Sequence, residues 1–254
     1  MAETILTFKP ILISVVGGLL PSLLWLWFWL KEDSENPEPR GLVALSFFAG
    51  MAIVYFVLPV QKIVVSFISS IVDVVDVVSL KFSLLSPDQQ TVQITLWAFI
   101  EEFAKYATVF LLAFKSRFFD EPMDAVVYLI TAALGFAAME NTLYILKGLS
   151  HDGIFQVFSD GNMRFIGATI VHIVSSAFVG IAIAFAFYTP RFVRFLAVAI
   201  GLLVATLLHA HFNLSIMESD GTLNTLLIFS QFWGAIIGII VLLQIIKRLP
   251  KNNN

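Results

Sequence analysis

WAFIEEFAKYATVFLLAF, residues 97–114, would read as the middle of a membrane-crossing helix were it not for Glu101, Glu102 and Lys105. The block around it, 92–114, is long enough to cross about 30 Å of hydrocarbon, which takes about 20 residues. A charged side chain at the centre of such a helix costs roughly 2.5–3.5 kcal/mol on insertion scales, so three of them mark a candidate functional site. Working outward, further apolar blocks of spanning length lie at 11–30, 41–60, 123–147, 163–188, 192–216 and 223–246. Block 63–80 is ambiguous. It is apolar and rich in β-branched residues but carries Asp73 and Asp76, so crossing, re-entrant and interfacial readings all stay open. The expected fold is all-α, a polytopic transmembrane helical bundle of seven or eight spans.

Composition agrees with that class, since 59% of the 254 residues are hydrophobic and only 13% charged. A net charge of −3 gives no basic surplus for nucleic acid, which excludes it as a partner and leaves the lipid bilayer as the environment. The absence of cysteine excludes disulfides, thiol nucleophiles and thiolate metal sites. The first block is longer than a signal-peptide core and is followed by KEDSENPEPR, so it reads as a retained span. Trp25, Trp27 and Trp29 near its end, and Trp97, suit an aromatic belt.

The chain reads as one integral membrane domain, 1–254. Residues 1–91 hold the N-terminal spans and the ambiguous segment, 92–216 a four-helix core, and 223–246 the last span. Lys115 with Arg117, Arg191 with Arg194, and Lys247, Arg248 and Lys251 mark cytoplasmic ends and place the C-terminus in the cytoplasm. Whether 63–80 crosses decides the side of the N-terminus. Both versions put nine positive residues inside and five outside, so charge does not choose between them, and oligomeric state is not legible.

Strongly polar groups recur inside the core spans: Glu140 and Asn141 in 123–147, His172 in 163–188, and His209, His211 and Asn213 in 192–216. Measured from the nearer span ends at about 1.5 Å per residue, Glu101, Glu140, His172 and His209 fall at one level, roughly 10 to 15 Å below the outer surface. Residues four apart share a helix face, which pairs Glu101 with Lys105 and His209 with Asn213. His211, about 200° round from His209, faces elsewhere, and Glu101 and Glu102, about 100° apart, need not share a role. Taken singly, EExxK is a structural ion pair, His172 an interior hydrogen-bonded histidine, and Asn141 or Asn213 interhelical glue. Taken singly, these readings leave the common depth unexplained.

In order and spacing, EEFAK (101–105), DAVVYLITAALGFAAMEN (124–141), RFIGATIVHIVSS (164–176) and HAHFN (209–213) resemble the motifs of the PrsW family of intramembrane proteases. That family is similar in turn to the CAAX-prenyl endopeptidases. The resemblance implies a multi-span enzyme of a prokaryotic cytoplasmic membrane that cuts membrane-anchored proteins, an anti-sigma factor among them. It places the catalytic function on Glu101, Glu102, His172 and His209, supported by Lys105, Glu140, Asn141 and Asn213.

Peptide hydrolysis needs an activated water, oxyanion stabilisation and a proton for the leaving amine. Glu101 or Glu102 suits the first role, with Lys105 or Arg164 holding the other glutamate ionised. His172 can share the proton transfers, and His209 and Asn213 can donate to the oxyanion. The competitor is a zinc-assisted version in which His172, His209 and a glutamate hold the metal. The surplus of carboxylate and amide over histidine favours the metal-free form, with no cofactor. A proton-coupled transporter is the rival from another class, because membrane Glu, Lys and His also form proton relays; a non-catalytic scaffold for partner helices is a third.

Overall fold

The computed structural model describes residues 2–32, 36–78, 89–151, 153–219 and 221–249, and of 2–7, 68–78, 150–151 and 153–166 only the helical backbone. Seven helices follow in order: α1 Ala2–Glu32, α2 Arg40–Val78, α3 Gln89–Leu112, α4 Pro122–His151, α5 Gly153–Phe185, α6 Arg191–Glu218 and α7 Thr222–Ile246. Six of them, all but α3, are long and apolar enough to cross a membrane. α3 falls short on composition because Glu101, Glu102 and Lys105 interrupt its apolar run; all three are buried against neighbouring helices.

The expectation of an eighth span does not hold among the described residues. Residues 63–78 continue α2, whose 39 residues run through Pro59 without a break. At 1.5 Å per residue that helix is about 58 Å long, well beyond the hydrocarbon core. The side chains of Asp73 and Asp76 lie outside the described residues.

α4 is the axis of the bundle. It packs against α1, α2 and α5 and touches α3 and α7, and 94% of its most apolar stretch is buried against 17% for α1. The small residues of its sequence permit this. A Cβ built on Gly135 of α4 would stand 1.9 Å from the Phe47 carbonyl oxygen of α2, and one built on Gly50 of α2 would stand 2.1 Å from that of Ala132 of α4. The two backbones touch through reciprocal glycines, the close packing that replaces a hydrophobic driving force inside lipid. The aromatic-belt reading survives only in part. Trp27 is exposed, but Trp29 is buried in the main core and Trp25 packs 5.6 Å from Trp233 of α7.

Contacts between helix ends sort the loops onto two faces. Lys247, just past α7, donates to the backbone carbonyl of Glu32 at the end of α1. Asn36 Nδ2 donates to Glu121 Oε2 over 3.2 Å, and Phe119 packs 5.2 Å from Phe187. The α1–α2, α3–α4 and α5–α6 connections and the end of α7 therefore share one face. Lys31, Arg40, Lys115, Arg117, Arg191, Arg194, Lys247 and Arg248 gather there, which is the arrangement expected if 63–80 does not cross.

Candidate active site

α3 delivers three charged side chains to the interior within little more than one turn. Glu102 and Lys105 are fully buried, and Glu101 nearly so. The expected pairing of Glu101 with Lys105 is corrected: Lys105 Nζ lies 2.7 Å from Glu102 Oε1. Spacings of three and four both bring helical neighbours together, and the partners on other helices decide between them. Glu102 also accepts from Ser176 Oγ of α5 over 3.0 Å and meets His209 Nδ1 of α6 at 2.8 Å. Glu101 instead turns towards α2, where Gln61 Nε2 donates to its Oε1 over 2.8 Å.

Hydrogen-bond chemistry fixes the histidine tautomers. A lysine ammonium only donates, so the 2.7 Å contact from Lys105 Nζ makes His172 Nδ1 an acceptor. The proton of His172 then sits on Nε2, which donates to Glu140 Oε2 over 2.7 Å. For His209 the order is reversed: Nδ1 donates to Glu102, and the Nε2 lone pair faces Glu101 Oε2 at 3.7 Å. Glu101 Oε2 is buried without a hydrogen-bond partner. The two imidazoles stand perpendicular with centroids 4.9 Å apart, and Lys105 also lies 4.6 Å from the Phe136 ring centre.

The cluster thus gathers Glu101, Glu102, Lys105, Glu140, His172 and His209 from four helices, as their shared depth predicts. Asn141 stands beside it, its Nδ2 donating to Thr169 Oγ1 over 3.1 Å in the manner of interhelical glue. Asn213, half-buried one turn beyond His209, makes no hydrogen bond to the cluster among the described residues. His211 faces outward towards Gln231, as its angular position predicts. The side chain of Arg164 lies outside the described residues. Three carboxylates face one ammonium, and a buried group of that composition gains from one further positive charge, a proton or a metal ion.

The profile of one protein family, PrsW family intramembrane metalloprotease, matches residues 38–246, which takes in every residue of this cluster. The chain belongs to the PrsW family. It is similar to Protease PrsW of Bacillus subtilis (strain 168), 25% identical over 224 residues that cover 86% of this chain and 89% of that protein. Protease PrsW of Geobacillus kaustophilus (strain HTA426) is 26% identical over 132 residues, about half of each chain. No solved structure matches.

The family description raises a metal, and the donor set of this PrsW member accommodates one in part. Glu101, His172 and His209 each offer a ligand atom, all within 4.8 Å of one another, and three such ligands with a water make a catalytic zinc complement. His209 is prepared for it, because Glu102 holds its other nitrogen as an outer carboxylate does in metal sites. His172 fits only if Glu140 gives up Nε2, since Lys105 occupies Nδ1.

Gln61 is the site residue that sequence reasoning missed. The apolar blocks 41–60 and 63–80 leave Gln61 and Lys62 between them as a turn, whereas the apolar character on both sides was the signal for one long helix with an amide inside it. The four-helix core therefore has a fifth contributor.

Proposed function

We propose that the protein is an intramembrane endopeptidase that hydrolyses a peptide bond of a membrane-anchored protein, of the anti-sigma-factor type, with a water activated by Glu101. The observation that carries this reading is the pair of acceptors left facing one another, Glu101 Oε2 without a partner and His209 Nε2 3.7 Å away. A water between them can donate one hydrogen to each, which aims its lone pair at a carbonyl carbon. As the water oxygen bonds that carbon, Glu101 takes the proton; when the C–N bond breaks, the proton passes to the leaving amine. Asn213, four residues on from His209 along α6 and so on the same helix face, is the candidate oxyanion donor. Glu102 holds His209 and Lys105 and is a positioning residue. The CAAX-prenyl endopeptidases, with paired glutamates and histidines, supply an analogy for this division of labour.

A zinc-assisted version is favoured by the 4.8 Å grouping of Glu101, His172 and His209. A metal held there would supply a Lewis acid and a more acidic water, with Glu102 orienting His209 in either case. The transporter reading has less to stand on: among the described residues α3 to α6 run unbroken through the cluster, whereas transporter sites are built on discontinuous helices.

The test is cleavage of a single-span reporter by the purified protein in vesicles. Activity that survives exhaustive chelation and vanishes in Glu101→Gln supports the glutamate reading, since an amide cannot take the proton. Loss on chelation with stoichiometric recovery on zinc addition moves the conclusion to the metal. No cleavage by the unmodified protein overturns both.

A further inference from the structure

On the outside of the bundle, away from the buried cluster, an apolar groove of about 890 Å³ runs between α3 and α6. Its walls are aromatic, with Phe103, Tyr106 and Phe110 on one side and Phe195 on the other, and Arg191 and Arg194 stand at one end. Those arginines lie at the basic face, one turn apart on α6 and both exposed. Neither forms an ion pair among the described residues. From Arg191 to Thr206 at the deep end the groove follows 15 residues of α6, about 22 Å. An extended acyl chain can lie along a groove of that length.

We propose that this groove is a binding site for one anionic phospholipid, its phosphate held by Arg191 and Arg194 and one acyl chain laid along the aromatic wall. Charge complementarity selects this occupant. Guanidinium groups bind phosphate through paired hydrogen bonds, and basic pockets between helices at a cytoplasmic face recruit anionic headgroups. A zwitterionic lipid brings its own cation into the same place and gains less. Because α3 carries Glu101 and Glu102 and α6 carries His209, the lipid would brace the two helices that set the distance between them.

The proposal does not depend on proteolysis and is tested without it. The full-length protein is reconstituted in nanodiscs of equimolar phosphatidylglycerol and phosphatidylcholine, released into a mild detergent, and its retained lipid weighed by native mass spectrometry. Phosphatidylglycerol should be retained about tenfold or more over phosphatidylcholine. The double variant Arg191→Gln/Arg194→Gln should erase that preference, and Ala199→Trp, which fills the groove from an exposed position, should reduce retention of both lipids. Each variant is first checked for an unchanged melting profile and a monodisperse elution; Arg191→Lys/Arg194→Lys, which keeps the charge, serves in place of a double glutamine variant that does not fold and should retain the preference. Equal retention of both lipids by the unmodified protein overturns the proposal. So does a preference that survives removal of both arginines, or an Ala199→Trp variant that retains as much of both lipids as the unmodified protein, which would place the lipid elsewhere than in this groove.

Discussion

Glu101 and Glu102 are adjacent in sequence and opposite in circumstance. Glu102 accepts from Lys105, His209 and Ser176, so Glu102→Gln leaves a buried ammonium without its counter-ion. That should cost about 3–5 kcal/mol of stability as well as activity, read as a lower melting temperature. Glu101→Gln keeps the Gln61 bond through its carbonyl and should melt near the unmodified protein while losing cleavage by at least about 100-fold. If the two variants swap these phenotypes, the division between base and positioning residue is wrong. Gln61 is the sharper test. It binds the glutamate oxygen that does no chemistry, so Gln61→Ala should lower kcat by about 10- to 100-fold with KM little changed, as lost outer supports do. An unchanged kcat would remove it from the site. The identities of Glu101, Glu102 and Lys105 were legible in the sequence because charge inside an apolar block is conspicuous. Their pairing was not, since Lys105 is one helical step from either glutamate and Gln61, His209 and Ser176, on three other helices, make the choice.

At the scale of elements, the crossing of α2 and α4 sets where the cluster can form, because α2 brings Gln61 and α4 brings Glu140. Gly50 and Gly135 make that crossing possible. Gly135→Val would push a side chain into the Phe47 carbonyl, a backbone atom that cannot swing aside, and should cost about 1–3 kcal/mol or more through overpacking. Gly238→Ala, on α7 with nothing within 4 Å of its added Cβ, is the matched control and should be neutral. Melting curves of the two in the same detergent decide it; equal effects would mean that α2 and α4 do not meet through these glycines. The spans were readable from apolar length, and the small residues of TAALGFAAMEN announced a close contact. The partner of that contact was not readable, nor was the continuity of α2, because the polar pair Gln61–Lys62 between two apolar blocks divides them in the sequence although the helix runs through it and through Pro59.

For the whole molecule, the sharing of loop faces turns a charge count into a topology. The basic face carries the ends of α1, α3, α5 and α7, and the positive-inside rule predicts that it is cytoplasmic. The chain has no cysteine, so single cysteines at Asn36 and Asp120 should react with an impermeant maleimide only from the cytoplasmic side and one at Glu218 only from the other; the reverse pattern would invert the molecule. That orientation limits what can be cut. Glu140 lies 18 residues along α4 from the basic face, about 27 Å, and its side chain is 46% exposed, so water is expected to enter the cluster from the face opposite the basic one. A peptide bond inside a substrate helix keeps its carbonyl hydrogen-bonded and covered, and attack there requires the helix to open first. The scissile bond should therefore lie near the outer end of a single-span substrate. A Gly or Pro placed beside it should speed cleavage by lowering the cost of unwinding, which is about 1 kcal/mol for Gly and about 3 kcal/mol for Pro relative to Ala. Product termini read by mass spectrometry give the position, and rates for the Ala, Gly and Pro series give the dependence. Cuts at the cytoplasmic end would place the working water on the wrong side of Glu140, and a rate indifferent to the series would mean that the substrate arrives already unwound.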